Sequence, residues 1–236
     1  MTDGTREAPV RDGDGIQWLV EVGRSGTGLQ GTGGPGADGE IGGVVFARGI
    51  PPEELARRMG ADPAAGTTPI SGTEIQDLDI EVYRPSDDGD GVVRVGACGG
   101  WSFAIEYGDS TGGELLTEIA RDGVEVVHFR PMPEQPPALL DYAHDGAVLC
   151  GFGLGQERWR WGQEPDLLVP DLVAAGVLEV DGVTPRDPDG DGGDTAHRRT
   201  LGAVERRFGL SLPRAALDGL RLPAYAVRGT PGLVPR

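Results

Sequence analysis

Residues 92–108 read VVRVGACGGWSFAIEYG, and the class of the fold turns on them. Trp101, Phe103, Ile105 and Tyr107 alternate with Ser102, Ala104 and Glu106, which is the period of two that sends successive side chains to opposite faces of a strand. Gly99–Gly100 interrupts the run, so the stretch predicts two strands across a tight turn. One face of the second strand is apolar and the other less so.

Working outward, VEVVHFR (124–130) reads as a further strand. ALLDYAHDGAVLCGFG (138–153) reads as a hairpin turning at Asp145–Gly146, because that dipeptide readily supplies the two positive φ values of a type I′ turn. VVFARG (44–49) and IQWLVEV (16–22) complete the strand candidates. Helices are predicted at 50–63, where Pro52 suits a first helical position and Gly60 with Pro63 stops the helix, and near 72–80. Another is predicted at 110–123, where Thr111 and Glu114 have capping-box spacing and Leu115, Leu116 and Ile119 form the buried stripe. The last are EPDLLVPDLVAAG (164–176), with Pro170 at a start or kink, DTAHRRTLGAVERRFGL (194–210), and a short turn in SLPRAALDGL (211–220). Strands joined by short turns with helices on both sides predict an α+β domain, an antiparallel sheet with helices packed on it. One domain over residues 16–222 is the economical division. It carries a flexible Gly-rich insert at 23–43 and an acidic loop at 179–193, after a disordered stretch at 1–15 and before a tail at 223–236. The closing GLVPR (232–236) resembles what a thrombin cut leaves and is set aside from the fold reading.

Composition narrows the function classes. The chain has 236 residues, 41 Gly, 19 Pro and a formal net charge of −17. That charge argues against nucleic acid and against anionic membranes, and its sharper implication is a basic protein partner. All 21 basic residues are Arg, and neither Lys nor Asn occurs, which points to a GC-rich genome and removes every Lys-based mechanism. No leader or membrane-span pattern is read, so a cytoplasmic protein is expected. Composition leaves the oligomeric state open.

Four segments carry a resemblance: VVFARGIPPEELARRMGADP (44–63), VRVGACGGWSFAIEYG (93–108), ERWRWGQEPDLLVPDLVAAGV (157–177) and TLGAVERRFGLSLPRAALDG (200–219). Together they resemble an uncharacterised domain family abundant in filamentous actinomycetes, catalogued as a domain of unknown function, over about residues 16–222. The resemblance implies a cytosolic α+β domain and no established activity, so no catalytic residue is carried over. The chain departs from that pattern in its Gly-rich insert and in FRPMPEQPPALLDYAHDG (129–146), where an Asn-containing strand is common.

Motifs that could carry chemistry mostly dissolve on inspection. Asp187, Asp189, Asp191 and Gly192 begin like a calcium loop, but its twelfth position is Arg198, and no helix precedes it. It reads as Asp-Gly spacer. GTGLQG (26–31) matches a dinucleotide fingerprint but leads into no helix. Cys98 and Cys150 have no metal spacing, the three His share no helical face, and no Ser sits in a nucleophile elbow. No cofactor, metal site or catalytic set is therefore expected. ERWRWG (157–162) stands out, since Trp and Arg are enriched at binding hot spots. Trp159 and Trp161 either cap the core, with Arg158 and Arg160 on loop carboxylates, or form a contact surface. The expected function is an acidic binding or regulatory module that uses Trp101, Arg158, Trp159, Arg160 and Trp161 as contacts, with Glu106 or Arg130 as polar orienters. The alternative is a small hydrolase-type enzyme with its site around Glu106, His128 or Cys98.

Overall fold

A computed structural model describes residues 15–22, 41–62, 69–77, 91–108, 111–132, 136–186, 193–217 and 219–227. Residues 1–14, most of the Gly-rich insert, the start of the calcium-like stretch at 187–192 and the end of the tail lie outside it. The strands are β1 (Ile41–Arg48), β2 (Gly91–Cys98), β3 (Trp101–Gly108), β4 (Glu125–Arg130), β5 (Leu139–His144), β6 (Ala147–Gly153), β7 (Arg160–Trp161) and β8 (Ala224–Val227). They form one antiparallel sheet in the order β7-β6-β5-β4-β1-β3-β2-β8. The helices are α1 (Pro52–Arg58), α2 (Gly72–Asp77), α3 (Leu116–Ile119), α4 (Val169–Ala174) and α5 (Gly193–Phe208). The α+β class read from the sequence is what the structure shows.

Both glycine turns form as their chemistry dictates. Gly99 and Gly100 have φ of 58° and 82°, and Asp145 and Gly146 have 49° and 78°. In β3, however, both faces are covered. Trp101, Phe103, Ile105 and Tyr107 enter a large core shared with α5, α4 and the N-terminal segment. Ala104 lies on the opposite face, in a smaller core with Leu55, Ala56 and Met59 of α1 and Leu116 and Ile119 of α3. Ser102 and Glu106 share that second face and are buried as well.

Three local readings are corrected. IQWLVEV is not a strand but a 3₁₀ helix over Gln17–Glu21. Consecutive Trp18, Leu19 and Val20 are all buried, and tertiary bonds override strand propensity. The Ile16 amide donates to Glu205 (2.9 Å) and the Trp18 indole N–H to the Leu212 carbonyl (3.1 Å). Thr111 makes no capping box; its hydroxyl donates to the Met59 carbonyl at the end of α1 (3.1 Å), and the α3 cap position is Leu115. The sheet also continues past residue 222, because β8 pairs with β2 in register Gly91↔Val227 to Arg94↔Ala224.

One side chain ties the layers together. Arg94 of β2 is fully buried in the larger core. Its guanidinium donates to the carbonyls of Ile70 (3.2 Å), Leu217 (2.9 Å) and Leu220 (2.5 Å) and to the Tyr107 hydroxyl (2.8 Å). The Arg94→Leu variant takes the guanidinium from the Leu217 and Leu220 carbonyls, while Ile70 keeps the Leu222 amide (2.9 Å), and each buried acceptor left unpaired costs about 1–3 kcal/mol. Urea denaturation is expected to show a loss of at least about 2 kcal/mol. A loss below about 1 kcal/mol would contradict this role.

Candidate functional site

The smaller-core face of the sheet carries a polar row. The register places Glu106 opposite Gly43, His128 opposite Asp141, Asp141 opposite Gly151 and Gly151 opposite Trp161. Cross-strand partners share a face, so six strands, two of them contributing glycines, bring these groups together. Pairing of β1 with β3 shifts register between Ile41 and Gly43, a bulge of the kind that re-aims side chains.

At the inner end, His128 Nε2 lies 3.2 Å from Glu106 Oε2, with the two side chains 0% and 1% exposed. Glu106 Oε1 accepts from the Gly112 amide (2.8 Å). The pair fits because glycines surround it. A Cβ on Gly43 would stand 2.3 Å from Glu106 Oε2 and 3.0 Å from His128 Nε2, and one on Gly112 would stand 2.6 Å from a Val45 methyl. In the middle, Asp141 accepts from Arg130 Nη2 (3.4 Å) and from the Trp161 indole (2.8 Å). Gly151 makes room for that bond, since a Cβ there would stand 2.2 Å from the indole nitrogen.

At the outer end the row reaches the surface. Trp159 is 64% exposed and Trp161 39% exposed. With Pro137, Leu139, Gly153, Gln156, Arg158 and Arg160 they line an open groove of about 330 Å³. The reading that these Trp cap the core therefore fails. Arg158 lies 5.1 Å over the Trp159 ring, a cation–π contact. Arg160 is committed elsewhere. It bonds Asp166 through two nitrogens (3.0 and 2.7 Å) and the Glu157 and Gly182 carbonyls (2.7 and 3.1 Å).

Two predicted residues do not join the site as expected. Trp101 is 2% exposed, donates to the Phe208 carbonyl (3.1 Å) and meets the Phe208 ring edge-on, so it belongs to the larger core. Glu106 is buried beneath Gly112 instead of orienting a ligand at the surface. Cys98 shares the face of its cross-strand partner Trp101 and bonds Ser211 (3.5 Å). It cannot pair with His128 on the other face. The Cys150 thiol is pushed up to about 11, chiefly by burial, which leaves it un-ionised at neutral pH. Among the described residues no group of three or more His, Cys, Asp or Glu could hold a metal ion, and no helix is long and apolar enough to cross a membrane.

Asp141, Gly43, Gly112 and Gly151 were missed by sequence reasoning. A lone acidic residue in the apolar strand LLDYAH was the available signal for Asp141. The glycines needed the register. Residues 43–211 match the model of a family of unknown function (DUF6461), and the chain belongs to that family. No curated protein and no solved structure matches it.

Gly43→Ala drives a methyl group into the Glu106–His128 pair and is expected to destabilise by about 1–3 kcal/mol in urea denaturation, as overpacking does. Wild-type stability in this variant would show the clamp to be loose. Cys150 is expected to resist iodoacetamide at pH 8 in the native state and to react once unfolded, read by peptide mass spectrometry. Native labelling would contradict the protection.

Proposed function

We propose that the protein is a recognition module, of regulatory rather than catalytic use, that grips a basic segment of a protein partner in the Trp159–Trp161 groove. The observation that carries this reading is the exposure of two neighbouring indoles at the sheet's end strand. Large aromatic side chains left in water beside one another mark interaction surfaces. Trp161 is held by Asp141, so little side-chain freedom remains to be lost on binding. Arg160 anchors the loop beneath, leaving Arg158 on the Trp159 face at the rim.

The net charge of −17 favours a basic partner and repels nucleic acid. Asp166 and Glu164 lie exposed on the segment after β7. The absence of Lys and Asn fits a GC-rich bacterium, and the cytoplasm is the compartment this reading assumes.

Affinity capture with the wild-type chain, followed by calorimetry against the purified captured protein, tests the reading. The Trp159→Ala/Trp161→Ala double variant, with an unchanged circular dichroism spectrum, is expected to bind at least about tenfold more weakly. Wild-type affinity should fall as salt is raised, as screening of opposite charges requires. Equal affinity of the folded double variant would remove the groove from the account.

A further inference from the structure

The larger-core face of the sheet borders a second cavity, of about 210 Å³. Arg48, Glu125, Tyr142 and Arg207 carry its polar groups, and Leu149, Leu167 and Phe208 form its apolar wall. The strand register builds one side of it. Arg48 ends β1 opposite Glu125, the first residue of β4. Tyr142 stands opposite Val127, two residues further on, so the three side chains share one face. The end of α5 covers them. Its Phe208 ring lies 4.6 Å from the Tyr142 ring, and the neighbouring Arg207 reaches the same cavity. Arg48 and Arg207 are 46% and 47% exposed, so the cavity opens to solvent.

Bonds already made decide what the cavity can offer. One Glu125 oxygen takes the Arg48 guanidinium, and the other accepts from the Tyr142 hydroxyl (3.2 Å). Burial, aided by Glu125, pushes the Tyr142 phenol up to about 12, while Arg48 and Arg207 both draw it down. The phenol therefore stays protonated at neutral pH, and both cations stand close enough to act on it. Arg207 is the unspent group. Its ion-pair partner Asp171 is 3.9 Å away, beyond hydrogen-bond range, which leaves the guanidinium donors for something else. Two guanidiniums against one carboxylate leave the lining with one positive charge in excess. A cation is repelled there, and an ammonium finds the one lining carboxylate taken. A phosphate brings up to about two charges and no apolar body. A carboxylate matches the charge, and its two oxygens suit the fork of a guanidinium. At about 30 Å³ per water the cavity has room for roughly seven waters, so the ligand is a small acid.

We propose that this cavity binds a small monocarboxylate with an apolar body, its carboxylate on Arg207 and its body against Leu149, Leu167 and Phe208. Arg48 supplies a second, fixed positive charge, held by Glu125 and by the Trp101 ring face 4.7 Å away. An apolar wall with a few convergent polar groups is the usual make-up of a small-molecule site. The net charge of −17 on the whole chain weighs little here, because screening limits distant charges beyond about 8 Å at physiological ionic strength. The cavity lies on the other face of the sheet from the polar row, and neither proposal depends on the other.

Calorimetric titration of the full chain at pH 7 with an aromatic and a branched aliphatic acid, phenylacetate and isocaproate, tests the proposal. Saturable one-to-one binding of at least one acid is expected, with a Kd of about 1 mM or tighter. The matching amide keeps the apolar body and loses the charge, and it should bind at least about tenfold more weakly. Arg207→Gln should weaken the acid at least about tenfold. Arg206→Gln removes the same charge one residue away, outside the cavity, and should leave the affinity unchanged. Both arginines are exposed on α5, so both variants are expected to keep the wild-type circular dichroism spectrum. The amide comparison needs no variant and decides alone if Arg207→Gln does not fold. Failure of both acids to bind saturably up to about 10 mM, equal affinity for acid and amide, or equal affinity of wild type and folded Arg207→Gln overturns the proposal. So does a loss in Arg206→Gln as large as that in Arg207→Gln.

Discussion

The structure rests on a sheet buried from both sides. In β1, Val44, Val45, Phe46 and Ala47 are all inaccessible to solvent, so neither face of the central strands meets water. Hydrophobic burial is thereby large for a chain with modest apolar content. The same arrangement makes any unpaired polar group in those strands costly, as an isolated buried charge is. Arg94 on one face and Glu106 with His128 on the other are where the sequence runs that risk. Each is surrounded by the partners it needs: carbonyls at the ends of short segments for the arginine, and an imidazole with a backbone amide for the glutamate.

The sequence revealed the elements whose information is local. Positive φ at Asp145–Gly146 and Gly99–Gly100 is written into the residue types, so both hairpins were legible. Pro52 announces α1 for the same reason. What is not local was not legible. The segment 16–22 has the composition of a strand, but its bonds run to Glu205 and Leu212, nearly two hundred residues away. β8 is four residues long and carries no periodic signal, and only β2 beside it makes it a strand.

The candidate site divides along the same line. ERWRWG stood out by composition, yet the hexapeptide alone could not say which side chains are free. Arg160 is consumed by Asp166 and two carbonyls, whereas Arg158 is left on an indole face. Trp101 looked equivalent to Trp159, but it lies in the middle of a sheet and Trp159 beyond its end strand. Glu106 read as a solvent-facing acid because alternation shows that a residue is on the second face, not that a second helical layer covers it. The pairing of Glu106 with His128 spans three neighbouring strands, and only the strand order β4-β1-β3 puts them together.

Arg94 also bears on how the molecule is made. Two of its acceptors, Leu217 and Leu220, lie more than a hundred residues downstream, and β8 follows them directly. A nascent chain that has emerged only as far as Leu212 holds a guanidinium with too few carbonyls and a β2 edge with no neighbour. Such an edge is a template for pairing with other chains. Leu217 and Leu220 satisfy the charge, and β8 just after them closes the edge. The strand that follows the arginine's acceptors thus acts as a seal on the β2 edge.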